Sequence, residues 1–244
     1  MSMRIRRMVD EVDEQHREGM RTIQEDLAAL HLEQTDQALV DSRRSFVRNL
    51  GVGAVAFGAV AVSGVALAQT VAAQAADTTP PELSPDDLAL VTFAETLELA
   101  AAAAYQVAVD DGMLDTRAAE TARTFGRHHA QHAEALRGLI PKELWRFSPN
   151  QAVVDAVVPQ LNDATDQNAV LEVLYGVEEG AAATYLKALG VVDWVVAGPA
   201  ATILPIESQH AVVLGQLADL PESSWMPAFG SEQAAFDPAE FPAG

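Results

Sequence analysis

Ile203-Leu204-Pro205-Ile206-Glu207-Ser208-Gln209-His210-Ala211-Val212-Val213-Leu214 puts two ionisable side chains on the apolar stripe of a helix. Residues three and four apart share a helix face. Ile203, Glu207, His210, Leu214 and Leu217 therefore fall on one line. Burying an unpaired carboxylate costs at least several kcal/mol, so such a line needs a compensating partner.

The same pattern recurs upstream. Leu171, Leu174, Ala181, Ala182 and Tyr185 form a stripe that contains Glu178. Phe125, Leu136 and Leu139 form another, with His129 and His132 on it and His128 at its edge. Val91, Ala94, Ala101, Ala102 and Tyr105 form a fourth, which contains Glu98. Ionisable groups at similar depth on four core stripes are better explained by a shared bound cation than by four separate burial penalties.

The helices that carry these stripes have legible ends. Ser84-Pro85-Asp86-Asp87 supplies an N-cap, a proline at the first helical position and early acids. The first helix is predicted over about 85–110, ending at Asp110-Asp111-Gly112, and the second over about 115–139. A crossover follows over about 141–165, with Trp145, Phe147 and a short helix at 150–158. The remaining two helices are predicted over about 166–189 and 199–218, and an extended proline-containing tail over 221–244 wraps the bundle. Short connections within each helix pair and one long crossover between pairs describe an all-α four-helix bundle. No alternating strand pattern competes with it.

The two hairpins repeat one another. Glu98 precedes His132 by 34 residues and Glu178 precedes His210 by 32, and each glutamate precedes a tyrosine by seven, Tyr105 and Tyr185. His129-x-x-His132 and Glu207-x-x-His210 are both i, i+3 pairs. A glutamate from each of two helices plus Glu-x-x-His from the other two is the dimetal arrangement of ferritin-like bundles.

Composition narrows the chemistry. The 244 residues hold 15 Lys+Arg against 35 Asp+Glu, a net charge of −20, which excludes a nucleic-acid surface and an anionic-lipid dock. There is no cysteine, so disulfides, thiolate metal sites and cysteine nucleophiles are excluded as well. A His and carboxylate donor set points to iron, manganese or zinc. No Gly-rich phosphate loop, nucleophile elbow or Rossmann fingerprint is present.

Phe93-Ala94-Glu95-Thr96-Leu97-Glu98 with Tyr105, then Glu178 with Tyr185, then Ile206-Glu207-Ser208-Gln209-His210, resemble the ferritin-like domain of exported bacterial and desiccation-related proteins. The resemblance covers roughly residues 85–220. It implies a ferritin-like fold and a metal centre of one or two ions, iron first, held by Glu98, His129, His132, Glu178, Glu207 and His210. Tyr105 and Tyr185 are expected to hydrogen-bond ligand carboxylates, and Glu95 and Glu179 to be solvated or to support the ligands. His128 competes with His129 for its role.

One departure stands out, because the family's second helix carries Glu-x-x-His where this chain has His129-x-x-His132. Three carboxylates leave two divalent ions with one uncompensated positive charge, which a bridging hydroxide could neutralise. A single ion, or zinc, is the other way to balance the set.

Ahead of the bundle, residues 1–41 are charged, and Met20, Ile23, Leu27 and Leu30 suggest a short amphipathic helix in an otherwise solvated extension. Ser42-Arg43-Arg44-Ser45-Phe46 resembles a twin-arginine export signal. An uncharged run over 50–76 follows it and closes on Ala73-Gln74-Ala75, with 77–84 as linker. Cleavage there would release the domain outside the cytoplasm, to the periplasm, cell envelope or medium. An uncleaved run would anchor it in the membrane.

The expected partners are metal ions, the Tat export machinery and other copies of the chain in a homo-oligomer. Two functions fit. One is a metal-dependent oxidase or ferroxidase, and the other is a non-enzymatic envelope scaffold with a structural ion or none.

Overall fold

A computed structural model describes residues 2–32, 83–227 and 230–243. The twin-arginine stretch, the apolar run and most of the linker lie outside the described residues. The described elements are α1 (Ser2–Leu32), α2 (Pro85–Asp110), α3 (Thr116–Arg137), a 3-10 turn (Lys142–Leu144), α4 (Gln151–Asn162), α5 (Gln167–Leu189), α6 (Trp194–Leu217) and α7 (Glu222–Trp225). No strand occurs among the described residues.

Side-chain caps start most of these helices. Ser84 Oγ accepts from Asp87 N at 3.0 Å, Asp115 Oδ1 from Ala118 N at 2.8 Å, and Asp166 Oδ1 from Ala169 N at 3.0 Å. Each such cap contributes about 1 kcal/mol. Gly112, with φ of +77°, turns α2 into α3 at a backbone angle that side chains resist. α2 pairs with α3 and α5 with α6, and α4 lies on the long crossover between the pairs.

α6 begins at Trp194 rather than near 199 and runs through Pro199 and Pro205. Each proline removes one helical hydrogen bond. Burial of Val196, Ala200 and Ile203 on both sides of Pro199 keeps the helix continuous. The start is tied to the first hairpin by Asp87 Oδ1, which accepts from Asp193 N at 3.2 Å.

The apolar core falls into two clusters. One includes Leu97, Tyr105, Phe125, Leu174 and Leu214, and the other includes Val91, Leu136, Tyr185 and Ile203. On each of α2, α3, α5 and α6 the ionisable stripe residues sit between a member of one cluster and a member of the other. The bundle is thus an apolar layer, a polar layer and a second apolar layer. α2 is the one helix among the described residues long and apolar enough to cross a membrane. Its buried residues pack inside this bundle.

α1 differs from the solvated extension expected from its charge. It lies along α6 and α3 and buries Ile5, Val12, His16 and Ile23, none more than 4% exposed. Charge over most of a helix's circumference is compatible with one narrow buried stripe, so mean polarity concealed the packing. The chain after α6 also returns to the bundle. Phe236 and Phe241 pack on the first cluster, Asn150 Nδ2 donates to Phe241 O at 2.9 Å, and Phe236 N donates to Thr184 Oγ1 at 2.9 Å.

Candidate metal centre

The four stripes converge. Glu98 from α2, His129 and His132 from α3, Glu178 from α5, and Glu207 and His210 from α6 meet in the polar layer, none more than 1% exposed. Gly126 lets α3 approach α2 closely there, since a Cβ at that position would stand 3.0 Å from Tyr105 Cβ.

The donor atoms form two overlapping sets of four. Glu98, His129, His132 and Glu207 make one, and His129, Glu178, Glu207 and His210 the other, each with all its ligand atoms within 4.8 Å of one another. Glu207 gives one oxygen to each set: Oε1 lies 2.8 Å from His132 Nδ1, and Oε2 lies 3.1 Å from His210 Nδ1. His129 divides in the same way, with Nδ1 at 2.6 Å from Glu98 Oε2 and Nε2 at 3.0 Å from Glu178 Oε1.

The donor set fits metal ions on a specific observation. His132 Nδ1 and Glu207 Oε1 are buried and close, yet neither makes a hydrogen bond. Buried polar atoms without hydrogen-bond partners are what two ligands of a cation present.

The electrostatics point the same way. Burial opposes a proton on His129, His132 and His210, but the surrounding carboxylates outweigh it. For His132 the result is a rise to about 9, driven by Glu207 and then Glu98. Burial likewise opposes ionisation of Glu98 and Glu178, and the imidazoles outweigh it, holding Glu98 at about 2 and Glu178 well below its usual range. The imidazoles therefore hold protons against Glu98 and Glu178 in the metal-free protein. Metal binding would displace those protons.

Two tyrosines close the layer. The Tyr105 hydroxyl donates to Glu178 and the Tyr185 hydroxyl to Glu98. Burial and the adjacent carboxylates push both phenols well above their ordinary value, so both remain donors.

Three residues from α1 and α3 back the centre. His128 is 1% exposed and belongs to neither set of four; its Nε2 lies 3.0 Å from Asp13 Oδ1 and its Nδ1 lies 3.0 Å from His210 Nε2. Burial, then His210 and His16, hold its pKa far below the ordinary value, so the ring is neutral. The network then fixes each hydrogen. His128 donates from Nε2 to Asp13 and accepts at Nδ1 from His210 Nε2, which leaves His210 Nδ1 facing Glu178 and Glu207. Orientation of a metal-binding imidazole through its second nitrogen is the ordinary device of such sites. His16 stacks on His128 with ring centroids 3.8 Å apart, and neither of its buried nitrogens has a hydrogen-bond partner.

All six ionisable residues expected at the centre are thus brought together, with His129 rather than His128 in both sets. Glu95 is fully buried rather than solvated, and accepts from Arg137 Nε at 2.6 Å. Glu179 is half-buried and stands outside both sets, next to Tyr175. Sequence reasoning missed Asp13 and His16. The signal was the Ile5, Val12, His16, Ile23 stripe, which has helical spacing.

Comparison with curated proteins gives no match, and neither does comparison with solved structures. The sequence profile of the ferritin-like domain, by contrast, matches residues 86–219, from the start of α2 to just past the end of α6. That span is more than half of the chain and contains both donor sets, so the chain belongs to the ferritin-like domain family.

Proposed function

We propose that the polar layer binds two divalent metal ions, iron foremost, and that the protein oxidises Fe(II) as an exported ferroxidase-like protein. The observation that carries this is the pair of overlapping four-donor sets, buried together in a ferritin-like bundle. Iron held there would supply one-electron chemistry, and two Fe(II) taken up as substrate would together reduce one peroxide, with two protons, to two waters. The residues of this chain do the rest. Glu98, Glu178 and Glu207 neutralise the ions, and His132 and His210 present Nδ1 at fixed angles. Tyr105 and Tyr185 keep the carboxylates in place, and the two apolar layers exclude water.

The test is anaerobic loading with Fe(II) followed by oxygen or hydrogen peroxide. Oxidation of the bound iron at stoichiometric rather than solution rates supports the reading, and bound Fe(II) that stays reduced overturns it.

A second reading, a scaffold with a purely structural ion, is favoured by the direct hydrogen bonds from His129 and the tyrosines, which satisfy much of the layer without metal. Metal removal would then lower the melting temperature, and no oxidant would be consumed.

Export rests on the twin-arginine stretch and the apolar run that ends near Ala75. The position of α1 constrains it. A membrane span between α1 and the bundle would put the two on opposite sides, whereas Asp13 and His128 are in contact. The docked arrangement therefore belongs to the folded protein before translocation, or to a chain that stays on one side. Cell fractionation with N-terminal sequencing of the recovered protein decides it: a mature start near Asp77 outside the cytoplasm supports export, and an intact N-terminus in the cytosol overturns it.

A further inference from the structure

His129 belongs to both donor sets, and its two ring nitrogens face different sets. Nδ1 is 2.6 Å from Glu98 Oε2, a ligand of the first set only. Nε2 is 3.0 Å from Glu178 Oε1, a ligand of the second set only, and 3.8 Å from Glu207 Oε2. The ring is fully buried and lies between the two sets. Tyr105 stacks beside it with centroids 5.4 Å apart, and His132 and His210 stand edge-on at 6.1 and 5.5 Å.

We propose that His129 bridges the two metal ions as an imidazolate, one nitrogen bound to each. The proposal rests on the dimetal reading above and specifies how the two ions are joined.

Charge balance gives an independent argument. Two divalent ions bring four positive charges, and Glu98, Glu178 and Glu207 supply three negative ones. In the metal-free layer the His129 ring holds a proton on each nitrogen. When both nitrogens bind metal, both protons pass to solvent, each freed lone pair forms a metal–nitrogen bond, and the ring carries the fourth negative charge. The site is then neutral without an added hydroxide. A net charge left in a buried layer is the costly alternative.

The bridge also sets a length. A carboxylate or hydroxide bridge holds two ions about 3.5–4 Å apart. An imidazolate adds a metal–nitrogen bond of about 2 Å on each side of the ring, giving a separation of about 6 Å.

The experiment is a crystal structure of the full chain loaded with Mn(II), with anomalous difference maps to locate the ions and elemental analysis to count them. Two peaks about 6 Å apart on either side of His129 are expected. In H129E, which restores the family's carboxylate, the separation should fall to about 3.5–4 Å with both ions retained. Two ions at the short distance in the unaltered protein would overturn the bridge alone. A single ion, or no bound metal at all, would overturn the dimetal reading on which it rests, so the two failures are distinct. The unaltered protein decides the matter even where the variant does not fold.

Discussion

Tyr105 reaches from α2 across the bundle and donates its hydroxyl to Glu178 on α5, not to Glu98 on its own helix. Tyr185 returns the relationship by donating to Glu98. The two bonds tie the hairpins together at the depth of the metal centre and carry its approximate two-fold symmetry. Y105F and Y185F should therefore behave alike. Each leaves one buried carboxylate short of a donor, at a cost of about 1–3 kcal/mol in stability. Each should also weaken Mn(II) binding roughly 10–100-fold. Thermal unfolding and calorimetric titration check both, and an effect confined to one tyrosine would contradict the symmetry.

Asp13 acts on the centre through His128. D13A removes the acceptor that fixes the hydrogen on His128 Nε2, and with it the preference of His210 for presenting Nδ1. Metal affinity should fall roughly 10-fold or more. D13N, which keeps an acceptor oxygen, should recover most of the loss. Because both residues act on His210 along one chain, D13A combined with H128F should cost less than the sum of the two single changes. Additive losses would show that Asp13 acts independently.

His16 gives the metal-free protein an acid sensitivity. Burial, then the nearby His132, hold its pKa down at about 3 from an ordinary 6.5. Between those values the unfolded chain binds a proton that the folded chain refuses, so stability is lost as pH falls from about 6.5 towards 3. One such group contributes a slope of up to about 1.4 kcal/mol per pH unit. H16F should flatten that part of the curve, measured by urea unfolding of the metal-free protein at pH 4 to 7. His132 has the opposite sign. Its pKa is raised to about 9, so its contribution is complete below about 6.5 and is lost as pH rises through 9.

Gly180 on α5 is in contact with Phe236 of the C-terminal segment, and a Cβ there would overlap the ring. G180A gains helix propensity worth about 1 kcal/mol but must displace the ring, so the net change should be a loss of about 1–3 kcal/mol. Faster proteolysis of the segment after Leu217, with the bundle intact, is the expected sign.

Much of this was legible in the sequence because helical periodicity is a strong signal. The α2 range was read to the residue at both ends from Ser84, Pro85 and Asp110. Six ionisable residues on four apolar stripes mark a shared site, and their donor atoms meet in the two sets of four. Three things were not legible. Pro199 obscured the start of α6, because only tertiary burial tells a tolerated proline from a helix end. The charge of α1 hid its narrow buried stripe. The crossed tyrosines could not be read from their i, i+7 spacing to Glu98 and Glu178. Seven residues put each about 10 Å along the axis from its own glutamate, and only the facing helix brings a carboxylate within reach.

The most direct test of the centre is the metal content of the full-length protein after loading with Mn(II) or Fe(II) and gel filtration, beside E207A and H210A. Glu207 spans both donor sets and His210 completes one of them. Two ions per chain in the unaltered protein, with binding abolished in E207A and at least one ion lost in H210A, is the predicted result. An unaltered protein that emerges without stoichiometric metal, or variants that retain the full complement, would contradict it.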